Sequence, residues 1–206
     1  TYLVLHKVLF NKSLGNFQLF LYSFFGISMS FNMFITGGRA GQVMYFIMLG
    51  ILAFQYYNLN KIKALSLSLI LIPVVFFSAY QTSAIFSDRV DLTFSQFKTV
   101  NDSHHTSIGL RINFAKNSFE VIKKNPIIGV GTGDFPSEYK KINQINTPQL
   151  PNTTNPHNMY TLITMQLGLI GLVSMLSIFY YQIKLSSHSS NKFIRDVGIT
   201  LPIMFL

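Results

Sequence analysis

A histidine in the stretch Asn155-Pro156-His157-Asn158 is the residue best suited to proton transfer, and an apolar run follows it to residue 183. Asn155 is a good N-cap and Pro156 suits the first helical position, so we expect His157 in the first turn of a membrane-spanning helix. The positive end of the helix dipole there favours a neutral imidazole, which can accept a proton. The alternative interpretation is a histidine that only marks the membrane–water boundary.

Two arginines could bind phosphate. Arg39 lies in the glycine-rich turn TGGRAG (36–41), and Arg111 lies near the start of a predicted helix. A planar guanidinium binds two phosphate oxygens at once, so these side chains could bind a phosphate-containing ligand. Each also has an ordinary interpretation. Arg39 could be a snorkelling residue at a helix end, and Arg111 a solvated helix charge.

A run of alternating glycines, Gly129, Gly131 and Gly133, follows that helix. No strand pattern precedes the run, so it is not a dinucleotide fingerprint. We expect a turn that brings the backbone close to the membrane surface. Asp134 is a rival candidate for the base, although an Asp-Phe-Pro cap for the next short helix also explains it.

The sequence offers little for metal binding. His104 and His105 are adjacent, but no third ligand stands at a recognisable spacing, so a solvated pair is the simpler interpretation. The chain has no Cys, and no D-x-D pair of the kind that holds a metal in many sugar-nucleotide enzymes. We therefore expect neither a metal nor a cofactor.

Composition indicates the elements that must position these residues. The chain is 49% hydrophobic and only 11% charged, which does not describe an ordinary soluble domain. A helix that crosses a bilayer needs roughly 20 apolar residues. Four uncharged runs meet that length, and a fifth begins near Val197. The runs are 13–38, 40–60, 64–87 and 158–183.

We predict an all-α, polytopic integral membrane protein with four to five transmembrane helices. Because the chain starts without Met and stops inside an apolar run, we interpret it as a fragment.

The distribution of charge argues against a nucleic-acid partner, despite the net charge of +9. Six of the seven acidic residues lie in the polar segment 87–156, beside eight Lys and Arg. The remaining positive charge lies in short connections, and the positive-inside rule places 58–63 and 184–195 in the cytoplasm. The turn with Arg39, the segment 87–156 and His157 would then share the outer face.

The segment 87–156 is predicted to be a mostly helical loop. Ser107 can cap a helix that ends near Lys124, because Asn125-Pro126 stops it, and a short polar helix follows to about Asn143. Five apolar residues of the first helix fall on one stripe at helical spacing. They are Ile108, Ile112, Ala115, Phe119 and Ile122. The four spans are predicted at about 14–36, 42–57, 64–86 and 157–183.

Three motifs in this order resemble the O-antigen ligase and polymerase family, membrane glycosyltransferases that use a polyprenyl-diphosphate-linked glycan. They are TGGRAG (36–41), RINFAKNSFEVIKKNPIIGVGTGDF (111–135) and PHNMYTLITMQLGLIGL (156–172). The resemblance covers about 20–183. The family often has Ser where Gly38 stands, an aromatic residue where Ala115 stands and Glu where Gln166 stands. Phe114 can supply the aromatic ring.

The resemblance implies a metal-independent, inverting transfer in which His157 is the base and Arg39 and Arg111 stabilise the diphosphate. It also implies one membrane domain, 1–206, in the bacterial inner membrane, with 87–156 as a periplasmic loop and the active site facing the periplasm. The residues expected to bind substrate are Arg39, Arg111, Asn158, Gly131 and Gly133.

The expected donor is a glycan on undecaprenyl diphosphate, and three acceptors fit the family. Lipid A–core sugar would make the protein an O-antigen ligase, another carrier-bound glycan a polymerase, and a protein hydroxyl an oligosaccharyltransferase. A rival class is a flippase for lipid-linked saccharide, which predicts ionisable residues inside the spans. The four predicted spans contain none. A non-catalytic scaffold is the third class.

Overall fold

The computed structural model describes residues 1–58, 60–98 and 106–205. The regular structure of these residues is α-helical, with no strand among them. The helices are α1 (Tyr2–Phe10), α2 (Asn16–Ile35), α3 (Arg39–Tyr57), α4 (Lys61–Thr82), α5 (Ala84–Lys98), α6 (Ser107–Lys124), α7 (Phe135–Asn146), α8 (Met159–Ser187) and α9 (Lys192–Phe205). Four of them, α2, α3, α4 and α8, are long and apolar enough to cross a membrane. The prediction of an all-α membrane protein is confirmed.

Several boundaries differ from the sequence prediction by a few residues; for example, the second span begins at Arg39 rather than near residue 42, and the fourth runs to Ser187 rather than to residue 183. The third span ends at Thr82 rather than near residue 86, because the chain leaves the helix at Ser83 and starts α5 at Ala84. The Ser83 hydroxyl donates to the carbonyl oxygen of Phe34 at 2.6 Å, which ties this break to the end of α2. The predicted fifth run is part of α9, which begins earlier, at Lys192.

The chain forms two compact units. Unit 1 comprises Thr1–Leu92 and Gln182–Leu206, and unit 2 comprises Thr93–Tyr181. These units reflect packing alone. The prediction that 1–206 is one membrane domain with a loop at 87–156 stays a prediction.

Aromatic side chains form the core of unit 1. Phe34, near the end of α2, packs edge-on against Tyr45 of α3 and Phe86 of α5, with ring centroids 5.4 and 5.2 Å apart. Phe86 also meets Phe76 of α4 at 5.3 Å. Edge-to-face pairs are favoured by the aromatic quadrupole, beyond the area that they bury. This cluster therefore fixes the ends of α2 and α4 relative to the start of α5.

Helices α1 and α9 are joined by a buried polar network. His6 is 2% exposed and Asp196 is 6% exposed, and His6 Nε2 lies 2.9 Å from Asp196 Oδ2. Lys192 Nζ donates to the same carboxylate oxygen at 2.7 Å. Buried charges need such partners, because their desolvation is otherwise too costly. The network thus holds α1 against α9.

Unit 2 is built around the buried ring of Tyr139, which is 0% exposed and stacks on Phe135 at 5.6 Å. Burial raises the pKa of the Tyr139 phenol, partly offset by a hydrogen bond from Asn117 at 3.4 Å. Asn117 also donates to Asn143 Oδ1 at 3.2 Å and to Thr147 Oγ1 at 2.8 Å. These bonds satisfy amide groups that burial would otherwise destabilise.

The packed face of α6 is not the predicted apolar stripe. Ile112, Ala115 and Phe119 are exposed, and α6 instead buries a face with two asparagines and a serine. The buried residues are Gly109, Asn113, Phe114, Asn117, Ser118 and Val121. The network around Asn117 explains why polar residues can lie there. The cap also differs by one position, since the hydroxyl of Thr106 accepts from Gly109 N at 3.1 Å.

Candidate active site

His157 lies before α8 and not in its first turn. The side chain of Asn158 accepts from Thr161 N at 2.9 Å, so Asn158 is the residue that caps the helix. Asn155 forms a tight turn of its own, in which its side chain accepts from His157 N at 2.7 Å. The prediction of Asn155 as N-cap and His157 in the first turn is wrong, because two asparagines compete and the later one caps the helix.

The backbone turn presents the imidazole to solvent. His157 has a φ of 55°, in the left-handed region that few residues other than glycine adopt. Such a conformation costs of the order of 1 kcal/mol and is often found at functional sites. The side chain is exposed. A strained backbone that exposes a titratable ring favours a functional role over a boundary marker.

Phe114 supports His157 and lies on the same helix as Arg111. The imidazole stacks on the ring of Phe114, with centroids 6.1 Å apart and planes at 24°. Phe114 is 6% exposed and belongs to the core of unit 2, so it is a rigid support. Arg111 precedes it by three residues on α6, and residues at that spacing are neighbours on one helix surface. Arg111 therefore lies about one turn before the residue on which His157 stacks.

The guanidinium of Arg111 is available for a ligand. Its side chain is exposed, and it makes no ion pair or hydrogen bond with the residues that the structure describes. By contrast, Lys123 on the same helix is 2.8 Å from Glu120. The site thus contains an exposed imidazole that can take a proton and, one helical turn before its supporting residue, an exposed guanidinium that can bind an anion.

The glycine run packs against a break in α8. Gly168 has φ 66° and ψ −164°, which interrupts the helix. The segment after α6 supplies hydrogen bonds to the freed backbone groups. They are Val130 N to Met165 O (2.8 Å), Gly131 N to Gln166 O (2.9 Å), Leu169 N to Pro126 O (2.8 Å) and Ile170 N to Ile127 O (3.3 Å). Irregular backbone in a membrane-spanning helix requires such partners.

These bonds constrain the other residues expected to bind substrate. The N–H of Gly131 already donates to the carbonyl oxygen of Gln166, and the side chain of Asn158 already caps α8. Gly133 has a φ of 92° and open space beside its Cα. Their substrate-binding role stays a prediction. Asp134 occupies the N-cap position of α7 as expected, but its carboxylate makes no capping hydrogen bond.

Arg39 is the first residue of α3 and is half-buried, and it lies in unit 1, whereas Arg111 and His157 lie in unit 2. The prediction that all three meet stays a prediction. Within unit 1, the guanidinium of Arg89 lies against Gly37, two residues before Arg39. A Cβ on Gly37 would stand 3.1 Å from Arg89 Nη2. Arg89 was not among the residues predicted from the sequence; Asp88 precedes it directly, and Asp91 follows two residues later.

Unit 1 also contains an open apolar groove of about 920 Å³ between α2 and α4. Ile35, Thr82 and Ile85 line the end nearest the turn that carries Arg39, and Leu5 lines the groove farther along. Hydroxyls in the wall donate to backbone carbonyls, for example Thr82 to Ser78 at 2.7 Å. The volume is at the upper end of the range for small-molecule sites. A groove of this kind can accommodate a hydrocarbon chain.

Among the described residues, no group of three His, Cys, Asp or Glu side chains is arranged to hold a metal ion. His104 and His105 lie outside the described residues. A metal-independent site therefore requires Arg39 and Arg111 to stabilise the expected diphosphate without a metal ion.

Comparison with known proteins agrees with the motifs. Residues 24–176 match the family model described as O-antigen ligase, a region that includes Arg39, Arg111 and His157. Neither a curated protein nor a solved structure matched the chain. Since the matched region covers most of the sequence, the chain belongs to the O-antigen ligase family.

Proposed function

We propose that the protein is a membrane glycosyltransferase that moves a glycan from undecaprenyl diphosphate to an acceptor hydroxyl, as an O-antigen ligase acting on lipid A–core. Family membership supports a glycosyltransferase-type role in a membrane. The observation that carries the specific proposal is the exposed imidazole of His157, stacked on Phe114, which follows Arg111 by three residues on α6. A base and a phosphate-binding cation are the two groups that this chemistry needs.

In the proposed reaction, the oxygen of the acceptor hydroxyl attacks the anomeric carbon of the glycan. The bond from that carbon to the diphosphate oxygen breaks, and the diphosphate leaves with both electrons of the bond. His157 takes the proton of the acceptor hydroxyl, while Arg111 and Arg39 offset the negative charge of the leaving group. A single displacement of this kind inverts the anomeric configuration. No metal is required.

The donor is an amphiphile, and unit 1 has a surface that suits its tail. The groove between α2 and α4 is apolar, and its end lies beside the turn that carries Arg39. We propose that the groove holds part of the isoprenoid chain. In this arrangement the diphosphate lies at the arginines, and the loop and the active site face the periplasm across the bacterial inner membrane.

Alanine variants in a strain that lacks the gene test the proposal. We expect His157→Ala to lower transfer by about 10²–10⁴-fold, because a positioned base contributes that much. Arg111→Ala should lower it by about 10²–10³-fold, the usual cost of removing one charge-stabilising donor. The readout is the surface glycan pattern on a gel, with protein amount checked by immunoblot.

Two control variants each remove an exposed side chain similar to one at the site: a histidine to match His157 and a cation to match Arg111. His188 is an exposed histidine outside the matched region, and Lys124 is an exposed cation at the far end of α6. Alanine at either position should leave the pattern unchanged. Unlinked polymer that accumulates on its carrier indicates a ligase, and single repeat units in place of a ladder indicate a polymerase. Unchanged banding in His157→Ala would refute the catalytic assignment.

A further inference from the structure

Helix α5 is anchored at the end of α2, next to the groove. The hydroxyl of Ser83 donates to Phe34 O at 2.6 Å, and the ring of Phe86, 2% exposed, packs on the ring of Phe34 at 5.2 Å. Phe34 is the penultimate residue of α2. The first turn of α5 therefore has a fixed position relative to the turn that follows α2.

Arg89 follows Phe86 by three residues, so the two are neighbours on the helix surface. This spacing directs the arginine toward Gly37. A Cβ on Gly37 would lie 3.1 Å from Nη2 and 3.3 Å from Nε of Arg89, tighter than ordinary packing. The absence of a side chain at Gly37 is thus what allows the guanidinium to lie against the backbone of the turn.

Arg39 lies two residues after Gly37 in the same turn. Two residues of extended chain span at most about 7 Å, so the Cα of Arg39 is within that distance of the Cα of Gly37. A dianion bound at this turn would be attracted to each of these two cations.

The same turn forms one end of the groove. Ile85 lines the groove, and Arg89 follows it by one helical turn on α5. Ile35 lines the groove from α2, two residues before Gly37. A ligand with an apolar chain in the groove would thus carry its polar head to Arg89 and Arg39. Guanidiniums match phosphate oxygens through paired N–H donors.

We propose that Arg89 binds the diphosphate of the lipid-linked donor, together with Arg39, at this end of the groove. The proposal rests on the proposed function, which supplies the donor. Arg89 holds the ground state of the donor, so it contributes to affinity. His157 acts on the acceptor and contributes to the rate of transfer. The two roles separate in binding and rate measurements.

The test is binding of undecaprenyl diphosphate to the purified full-length protein in nanodiscs, with transfer measured in parallel. Arg89→Gln should weaken binding roughly 10-fold or more, because hydrogen bonds to charged groups contribute about that factor. Arg89→Lys keeps the charge but loses the planar fork, and it should recover part of the affinity. Lys98→Gln, the matched loss of the other cation on α5, should bind like the parent.

Thermal unfolding and size-exclusion profiles show whether a variant is folded. Parent-like binding by Arg89→Gln would overturn the proposal, as would a loss of affinity in Arg89→Gln that Arg89→Lys shares in full. His157→Ala separates the proposals, because it should bind undecaprenyl diphosphate normally and fail to transfer. If His157→Ala transfers normally, the proposed function fails whatever Arg89 does. If the parent does not bind undecaprenyl diphosphate, both proposals fail.

Discussion

Gly168→Ala should be strongly destabilising, because Gly168 is where α8 breaks to admit the segment after α6. Its φ of 66° with ψ of −164° belongs to a region that is essentially restricted to glycine. A Cβ at this position would overlap the carbonyl group of Ile127 and lie 2.5 Å from Ile128 N. These are backbone atoms, so they cannot rotate away as a side chain could.

The magnitude follows from two terms. The backbone conformation costs about 1–3 kcal/mol for alanine. Relief of the overlap displaces Ile127 and weakens two hydrogen bonds, Leu169 N to Pro126 O and Ile170 N to Ile127 O, at about 0.5–1.5 kcal/mol each. We expect a total loss of about 2–6 kcal/mol in the free energy of unfolding. At 2–4 °C per kcal/mol, the melting temperature should fall on the order of 10 °C.

Thermal unfolding of the full-length protein in detergent measures this effect, and two other glycines separate its causes. Gly133 has a φ of 92° but nothing within 4 Å of its Cβ direction, so Gly133→Ala tests backbone strain alone. Gly50 lies inside α3 with an ordinary contact at 3.9 Å, so Gly50→Ala should be neutral or stabilising by up to about 1 kcal/mol. If Gly168→Ala melts no lower than Gly133→Ala, the overlap with Ile127 does not exist as described.

Two further predictions test the supports of the site and of unit 1. Phe114→Leu should lower transfer about 10-fold or more, because it removes the ring on which His157 stacks. It should lower the melting temperature by only a few degrees, because leucine keeps most of the buried apolar volume. Normal transfer in Phe114→Leu would contradict the role of the ring. Asp196→Ala should lower the free energy of unfolding by about 1–3 kcal/mol, because it leaves the buried ring of His6 without its carboxylate partner, whereas the exposed Lys192 can be solvated. An unchanged melting temperature in Asp196→Ala would show that the buried network adds nothing.

The break in α8 has a consequence for the glycine run. Gly129 has a φ of 70°, and its Cβ would lie 2.5 Å from the backbone of Met165 and Gln166. At each close approach of the two backbones, one segment therefore contributes a glycine: Gly129 faces Met165 and Gln166, and Gly168 faces Ile127 and Ile128. The sequence predicts a turn near the membrane surface at these glycines. In the structure, Gly129 contacts the backbone of a membrane-spanning helix, α8.

The sequence alone determined the fold class and most helix boundaries. Uncharged runs predicted α2 and most of α3, because a bilayer requires a minimum apolar length. The pair Asn125-Pro126 predicted the end of α6, because proline disfavours helix in the residue before it. The motifs around Arg39, Arg111 and His157 predicted the family. All of these signals are local in the chain.

Only the tertiary structure decided which partners the polar groups find. Asn158 rather than Asn155 caps α8, and α6 buries Asn117 rather than its apolar stripe, because neighbours such as Asn143 and Thr147 satisfy the amide. The break at Gly168 lies inside a continuous apolar run and depends on hydrogen bonds from the distant segment after α6. Partners far apart in sequence leave no periodic signal, so hydropathy and spacing could not reveal them.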